Sequence, residues 1–288
     1  LANEFRSRLI FLVANWIRVG YCQGNFNSDN CAAGGFTLDY GPFGFCDEYN
    51  PNYQSWSGGG QHFAFMNQPL AAERNFYSFC TAIQPLLASD KASMTNLNEI
   101  LNGFSDAMQS EMEKMWAAKL GLNDFNADLF NELERLMTQT KVDYAIFFRE
   151  LSTVPNDINS LKKSFYDTYH NDVYTKELDQ KWSDWLSKWQ SLIFVACTTG
   201  KNAEQPLSRD ALSKEMKLVN PKYTLREWFL KPAYEKANDG DYSLLRELQN
   251  VMTQPYAEQD KGIEAKYYST KPNVFYNMSG VSQMSCSS

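Results

Sequence analysis

The chain has 288 residues, of which 43% are hydrophobic, and this is enough for one large or two modest domains with a sizeable core. Its 27 basic and 34 acidic side chains give a net charge of −7, and no run of Lys or Arg occurs, so a nucleic-acid partner is not expected. The most apolar window, from Leu9 to Tyr21, is interrupted by Asn15 and Arg18, so no transmembrane segment is expected either.

The first predicted element is an amphipathic helix from Glu4 to Gly20. Its apolar residues recur at helical spacing, and Gly20 is the expected stop. The apolar stripe consists of Phe5, Leu9, Leu12, Val13 and Trp16. We expect this helix to set the direction in which the next loop leaves.

The loop after this helix carries an Asp-Asn pair, Asp29 and Asn30, and a second aspartate, Asp39, nine positions after Asn30. Carboxylate and amide oxygens are ligands that Mg²⁺ accepts beside nucleotide phosphates, and kinase-type sites use Asn and Asp in this way, with another Asp facing the acceptor hydroxyl. The same residues also fit an ordinary turn, because Asn, Asp and Ser side chains can bond their own backbone. Spacing alone leaves both interpretations open.

The rest of the chain predicts a helical bundle. The expected helices cover Gln68 to Leu87, Asn96 to Lys119 with Thr95 as cap and Gly121 as stop, Asp128 to Thr138, Val142 to Leu151, a long helix with an apolar stripe of Trp182, Trp185, Leu186, Trp189 and Ile193, and a last helix from Asp241 to Val251. We expect the tryptophan stripe to pack a core, with a partner-binding surface as the alternative.

The polar stretch from Thr198 to Asp210 is the best linker candidate. We therefore assign residues 1–200 to a core domain, with the candidate metal loop at residues 21–45. Residues 201–288 are assigned to a helical C-terminal extension that ends in a tail containing Cys286.

The six cysteines include no C-x-x-C pair, and only two histidines, His62 and His170, accompany them, so a zinc site is not expected. Most of the cysteines are expected to be buried thiols of a protein from a reducing compartment. Cys286 differs because it lies in a Ser-rich tail, where a thiol is expected to be exposed.

Several long motifs in fixed order resemble the selenoprotein O family, pseudokinases that act as protein adenylyltransferases. The motifs are Gly35 to Phe45, Asp47, Tyr49, Pro51, Asn67 to Pro69, Val219 to Arg226, Gly240 to Tyr242, Pro255-Tyr256 and Ser285 to Ser288. The resemblance runs along the whole chain but covers only the C-terminal half of the family. It implies a mainly α fold: a C-lobe of protein-kinase type with a helical C-terminal extension and a small hairpin at the metal loop, and without an N-lobe.

The resemblance also implies site residues. Asp29 matches the catalytic-loop aspartate, Asn30 and Asp39 match the two metal ligands, and Mg²⁺ and ATP are the implied cofactors. AMP would then pass from ATP to a Ser, Thr or Tyr hydroxyl of a protein substrate. Cys286 matches a position that is often selenocysteine in eukaryotic relatives, which implies a redox role, and a thiol in a frayed tail is the alternative. Eukaryotic family members imply a mitochondrial or other organellar location.

Some residues depart from the family pattern. Gln23 stands where relatives usually have His, Asn25 replaces an apolar residue, and residues 31–34 are smaller and less apolar than usual, so we expect a looser loop. His62 replaces an arginine suited to bidentate phosphate contact, and it is either a functional group or an ordinary surface side chain. Relatives also carry a cysteine in the loop that follows the metal site. The matching stretch here, Gln54 to Gly58, has none, which argues against a disulfide to Cys286.

The chain begins with Leu1, and only 28 residues precede Asp29, so the glycine-rich cover, the Lys-Glu pair and the phosphate-gripping arginines of such a site are not expected within it. The chain alone is therefore expected to be inactive. One hypothesis is the C-terminal lobe of a protein adenylyltransferase, with the N-lobe on another chain or cleaved. The other is a non-catalytic scaffold or interaction subunit of a larger organellar assembly. A partner chain is expected to cover an exposed apolar face.

Overall fold

The computed structural model describes residues 1–38, 40–166, 172–199, 208–276 and 278, with all their side chains except those of residues 172–174 and 195–199. The described chain is mainly helical, as predicted. It forms two compact units, the first comprising residues 1–44 and 51–115 and the second comprising residues 45–50 and the described residues from 116 onward. Residues on both sides of the predicted boundary at residue 200 belong to the second unit, and the domain assignment and the kinase-like C-lobe stay predictions.

Four helices begin in the first unit, and two short strands bracket the loop that follows the first of them. These elements are α1 (Ala2–Val19), β1 (Tyr21–Cys22), β2 (Gly44–Phe45), α2 (Gln68–Leu87), α3 (Lys91–Asn102) and α4 (Phe104–Leu120), of which α4 continues into the second unit after Met115. The strands β1 and β2 pair in a two-stranded sheet, which agrees with the small hairpin expected there.

Helix α1 confirms the amphipathic pattern. Phe5, Leu9, Val13 and Trp16 are buried, and Leu12 is half-buried. The helix ends where Gly20 adopts a left-handed conformation with φ of 83°, and its backbone N–H donates to carbonyls of the last turn. The core of the first unit forms around this face with Ile17, Phe26, Phe65, Phe76 and Phe104, all buried.

The helix predicted from Asn96 to Lys119 with Thr95 as its cap is wrong, because this stretch forms two helices. The cap of α3 is Asp90, whose carboxylate accepts from the backbone N–H groups of Ala92 and Ser93. Thr95 lies inside α3, and its hydroxyl donates to the carbonyl of Lys91. Gly103 separates α3 from α4.

The second unit is built from the end of α4 and seven further helices. They are α5 (Ala127–Thr140), α6 (Tyr144–Leu151), α7 (Asp172–Thr199), α8 (Arg209–Val219), α9 (Glu227–Asn238), α10 (Ser243–Thr253) and α11 (Lys261–Tyr267). Because α7 continues to Thr199 and Ser208 caps α8, both ends of the predicted linker belong to helices, and residues 200–207 lie outside the described residues. No described helix is long and apolar enough to cross a membrane.

The tryptophan stripe of α7 is core, as predicted. Trp182, Trp185 and Trp189 are fully buried, and each indole N–H has an acceptor. Trp182 donates to the Thr140 hydroxyl at 2.8 Å, Trp185 to the Leu129 carbonyl at 3.0 Å, and Trp189 to the Leu120 carbonyl at 2.8 Å. The stripe therefore buries large apolar area without leaving a buried indole donor unpaired.

Candidate functional site

The Asp-Asn pair lies in a short 3-10 turn, Ser28–Asn30, that follows the first helix and strand. Asp29 is exposed, and Asn30 is half-buried. The Asn30 side-chain amide donates from Nδ2 to the carbonyl of Asn25 at 3.1 Å. This bond fixes the orientation of the side-chain amide, whose Oδ1 is its acceptor atom.

Helix α2 anchors this turn through one buried asparagine. Asn75 Oδ1 accepts from the Ser28 hydroxyl at 2.9 Å, and Asn75 Nδ2 donates to the Phe26 carbonyl at 2.9 Å. Phe26 itself is buried in the core of the first unit. The residues on both sides of Asn27 are thus tied to a helix, which limits the positions that Asp29 can reach.

Gln23 ties the two sides of the loop together. It is 2% exposed, its Nε2 donates to the Leu38 carbonyl at 2.9 Å, and its Oε1 accepts from the Tyr21 hydroxyl at 2.6 Å. Its backbone N–H donates to Gln68 Oε1 at 2.9 Å. These buried hydrogen bonds hold the loop at Gln23, and no pattern in the sequence indicated this structural use of Gln23 or Asn75. The looser loop expected from residues 31–34 stays a prediction.

Gly24 is required where the loop passes close to another stretch of chain. Its φ is +74°, and a Cβ built there would lie 1.9 Å from the Pro42 carbonyl oxygen. The Ser55 hydroxyl donates to the same carbonyl at 2.7 Å. A side chain at position 24 would therefore separate the two stretches of loop.

Cys31 follows the Asp-Asn pair and forms an antiparallel bridge with Thr37. Burial raises the pKa of its thiol to about 12, although a hydrogen bond with Asn75 acts in the opposite direction. A thiol that stays protonated is a poor metal ligand. The oxygen atoms of the neighbouring Asp29 and Asn30 are hard donors of the kind that Mg²⁺ accepts.

The structure brings together only part of the predicted site. Asp39 and Cys286 lie outside the described residues, so their predicted roles stay predictions. His62 is exposed and packs its ring 4.0 Å from that of Phe63, which fits an ordinary surface side chain. Among the described residues, no three His, Cys, Asp or Glu side chains are grouped closely enough to hold a metal ion.

A buried ionic cluster in the second unit was not predicted from the sequence. Arg226, 2% exposed, donates from Nη1 and Nη2 to the two carboxylate oxygens of Asp143 at 2.5 and 2.8 Å. Its Nη1 also lies 3.0 Å from Asp47 Oδ1, and the Tyr166 hydroxyl donates to Asp143 at 3.1 Å. Arg226 and Asp47 belong to the resembling motifs, but sequence spacing could not indicate that residues 179 positions apart meet.

Burial raises the pKa of two carboxyl groups beside Arg226, those of Asp47 and Glu227. It raises the pKa of Asp47, while Arg226 lowers it and Asp143 raises it further. The pKa of Glu227 is raised to about 8 by burial first and by the Asp47 charge second. Glu227 Oε1 has no hydrogen-bond partner among the described residues. The neutral form of Glu227 therefore dominates at pH 7.

Comparison with known proteins identifies the family. A sequence model of the family described as "Protein adenylyltransferase SelO" matches residues 3–253. A relative from Flavobacterium johnsoniae, "Protein nucleotidyltransferase YdiU", is 32% identical over 285 residues, which is 96% of this chain and 52% of the relative. Relatives with the same description from Azoarcus sp. and Photobacterium profundum are 30% identical over 290 residues and 34% identical over 273 residues.

These alignments cover 98% and 91% of this chain, respectively, but only 52% and 49% of the two relatives. The chain thus spans about half the length of the curated relatives that it matches. The relatives named are bacterial, so the organellar location stays a prediction. The family match covers most of the chain, and the chain belongs to the SelO family of protein adenylyltransferases.

Proposed function

We propose that this chain contributes the catalytic and metal-binding loop of a protein adenylyltransferase, which transfers AMP from ATP to a Ser, Thr or Tyr hydroxyl of a protein and releases pyrophosphate. In this proposal Asp29 lies near the attacking hydroxyl and accepts its proton. Asn30 and Asp39 hold Mg²⁺. The assignment of Asp39 rests on the resemblance alone.

The geometry of Asn30 is the observation that supports the proposal most directly. Its Nδ2 is occupied by the Asn25 carbonyl, so its Oδ1 is oriented before any ligand arrives. The neighbouring Asp29 carboxylate is exposed to a substrate. Fixing such groups in advance lowers the entropic cost of binding and places them accurately for the reaction.

The oxygen donors fit a magnesium ion. Amide and carboxylate oxygens are hard ligands, and Mg²⁺ is usually held by one or two such groups together with phosphate oxygens and water. When bound, Mg²⁺ neutralises negative charge on the transferring phosphoryl group. The protonated thiol of Cys31 next to Asn30 does not compete with these oxygens.

We further propose that the chain by itself is inactive. The cations that grip a triphosphate in such sites are expected from an upstream lobe. The chain matches 52% of the Flavobacterium johnsoniae relative, which leaves room for such a lobe in the rest of that protein. Partners are therefore an N-lobe or a larger assembly, together with the protein substrate. A non-catalytic scaffold is the alternative, supported by the loss of the family residues at Gln23 and His62.

The deciding experiment joins this chain to the unmatched half of the Flavobacterium johnsoniae relative. We expect the fusion to bind ATP in a Mg²⁺-dependent manner and to incorporate labelled AMP into protein. Asn30→Ala should abolish the Mg²⁺ dependence, and Asp29→Ala should remove AMP incorporation while nucleotide binding persists.

Asn27→Ala is the matched control, because Asn27 is an exposed asparagine beside the same turn whose side chain donates to Asn25 Oδ1 at 2.8 Å. It should bind Mg²⁺ and ATP within about threefold of the unsubstituted fusion, a change of less than 1 kcal/mol. A folded fusion that binds no nucleotide at all would refute the transferase proposal and favour the scaffold.

A further inference from the structure

The segment of residues 45–50 leaves the candidate metal loop and belongs to the second unit. It lies directly after residues 40–44, which close the loop. The backbone therefore passes without interruption from the closing half of the loop into this segment.

The beginning of α9 contacts this segment through three consecutive residues. Arg226 binds Asp47 at 3.0 Å, and the indole N–H of Trp228 lies 3.4 Å from the same carboxylate oxygen. Between them, the Glu227 carboxyl group accepts a hydrogen bond from the backbone of Phe45, which by itself lowers its pKa. Arg226 is itself fixed by its two bonds to Asp143, which is fully buried.

Other elements of the second unit hold the segment as well. The backbone N–H of Tyr49 donates to the Val142 carbonyl at 2.8 Å, and that of Tyr144 donates to the Asp47 carbonyl at 2.9 Å. These backbone hydrogen bonds do not change with the ionisation of side chains. The ionic contacts at the start of α9 do change with it, because they depend on the charges of the side chains.

We propose that Arg226 and Glu227 at the start of α9 are positioning residues for the candidate metal loop: they fix the segment of residues 45–50, and ionisation of Glu227 releases it. The link between the position of this segment and the binding of Mg²⁺ and ATP rests on the proposed function. The contacts that fix the segment are independent of that function.

The charges around Glu227 explain why its ionisation matters. Asp47 approaches it from the segment, and Lys271 approaches from the chain after α11. Lys271 Nζ also lies 3.9 Å from Asp47 Oδ2, and the Arg226 guanidinium group forms ion pairs with Asp143 and Asp47. Ionised Glu227 gains from its hydrogen bond with the Phe45 backbone, but its burial with Oε1 unpaired and the charge of Asp47 outweigh this gain. Separation of Glu227 from the segment therefore relieves the ionised form.

The test uses amide hydrogen exchange of the 288-residue chain, followed by mass spectrometry over peptides that cover residues 40–50. After correction for intrinsic exchange rates, we expect the exchange rate in this stretch to rise at least tenfold between about pH 6 and about pH 8 and to level off above about pH 8, because buried Glu227 keeps its proton up to a pKa of about 8 whereas the released side chain ionises near 4.5. In Glu227→Gln, which stays neutral, we expect no such rise. A rise of equal size in Glu227→Gln would overturn the proposal.

Arg226→Lys loses the two-pronged contact, and we expect at least tenfold faster exchange in residues 40–50 at pH 7. The matched control is Arg149→Lys, because Arg149 is 3% exposed in the same unit and pairs with Glu258 at 2.7 Å, away from the segment. It should leave residues 40–50 unchanged and loosen the stretch around Glu258. Equal effects of both variants on residues 40–50 would reduce Arg226 to a general stabilising role.

The fusion protein separates this inference from the proposed function. We expect Arg226→Lys to weaken Mg²⁺-dependent ATP binding at least tenfold and Arg149→Lys to leave it unchanged. Wild-type binding by Arg226→Lys would overturn its positioning role. If the unsubstituted fusion binds no ATP but the exchange results hold, the proposed function fails while the fixing of the segment stands.

Discussion

Arg226 and Asp143 form a two-pronged ion pair inside the second unit, with both carboxylate oxygens engaged at 2.5 and 2.8 Å. The pair joins the beginning of α9 to the beginning of α6, because Asp143 Oδ1 also accepts from the backbone N–H of Ile146 and caps that helix. One carboxylate therefore supports a helix end, an arginine and the Tyr166 hydroxyl at once.

We predict that Asp143→Ala destabilises the second unit by about 3–5 kcal/mol, because it leaves the buried Arg226 charge without its main partner. Urea unfolding monitored by tryptophan fluorescence gives the free energy. The control is Glu132→Ala, which removes an exposed pair with Lys188 at 2.8 Å and should cost less than about 1 kcal/mol. Similar losses of unfolding free energy in both variants would contradict the claim that burial makes the ion pair of Asp143 important for stability.

The stability of the chain is predicted to fall as pH rises from about 4.5 to about 8 through Glu227. The folded state keeps its proton up to the raised pKa of about 8, whereas the unfolded state releases it near the ordinary value of 4.5. Between these values the unfolded state binds fewer protons, so the free energy of unfolding falls by at most about 1.4 kcal/mol per pH unit.

Unfolding midpoints measured across this pH range check the Glu227 contribution. Glu227→Gln should flatten the slope, since the amide does not titrate, and Glu132→Gln on the exposed face of α5 should leave it as in the unsubstituted chain. An unchanged slope in Glu227→Gln would mean that another group carries the pH dependence.

Substitution of Trp185 should separate its packing contribution from its hydrogen bond. Trp185→Phe keeps a ring but removes the donor to the Leu129 carbonyl, and we expect a cost of about 1–3 kcal/mol. Trp185→Ala also leaves a large cavity and should cost about 3–5 kcal/mol. Phe194→Ala, at a side chain of the same helix that is 69% exposed, should change stability by less than about 0.5 kcal/mol. Equal costs for the two Trp185 variants would contradict the cavity argument.

Gly24→Ala should destabilise the candidate loop by more than the cost of placing an alanine at a positive φ. Gly24 and Gly240 both have positive φ, of 74° and 83°, but a Cβ at Gly240 meets nothing within 4 Å. Gly240→Ala should therefore cost about 1 kcal/mol, the conformational contribution. Gly24→Ala should cost at least about twice as much and raise hydrogen exchange around Pro42, where the Cβ clashes. Equal behaviour of the two variants would show that the clash is relieved at no cost.

The local sequence pattern was sufficient to predict those helices whose first and last residues are set by local signals. The apolar stripe of α1 and its stop at Gly20 follow from helical spacing and from the conformational freedom of glycine. The division of residues 91–120 into two helices was missed because Asp90 and Thr95 are both plausible caps. Only the observed hydrogen bonds distinguish a capping side chain from one that bonds within a helix.

The sequence by itself determined a mainly helical chain, a tryptophan core on one helix and an Asp-Asn loop with the residue types of a magnesium site. The tertiary structure alone decided that Gln23 and Asn75 hold this loop and that Arg226 meets Asp47 and Asp143. These relationships join residues far apart in the chain, and their energies depend on burial, which raises the cost of an unpaired charge and strengthens each hydrogen bond. Spacing along a sequence carries information about neighbours within a helix or strand, whereas burial and pairing are properties of the folded chain.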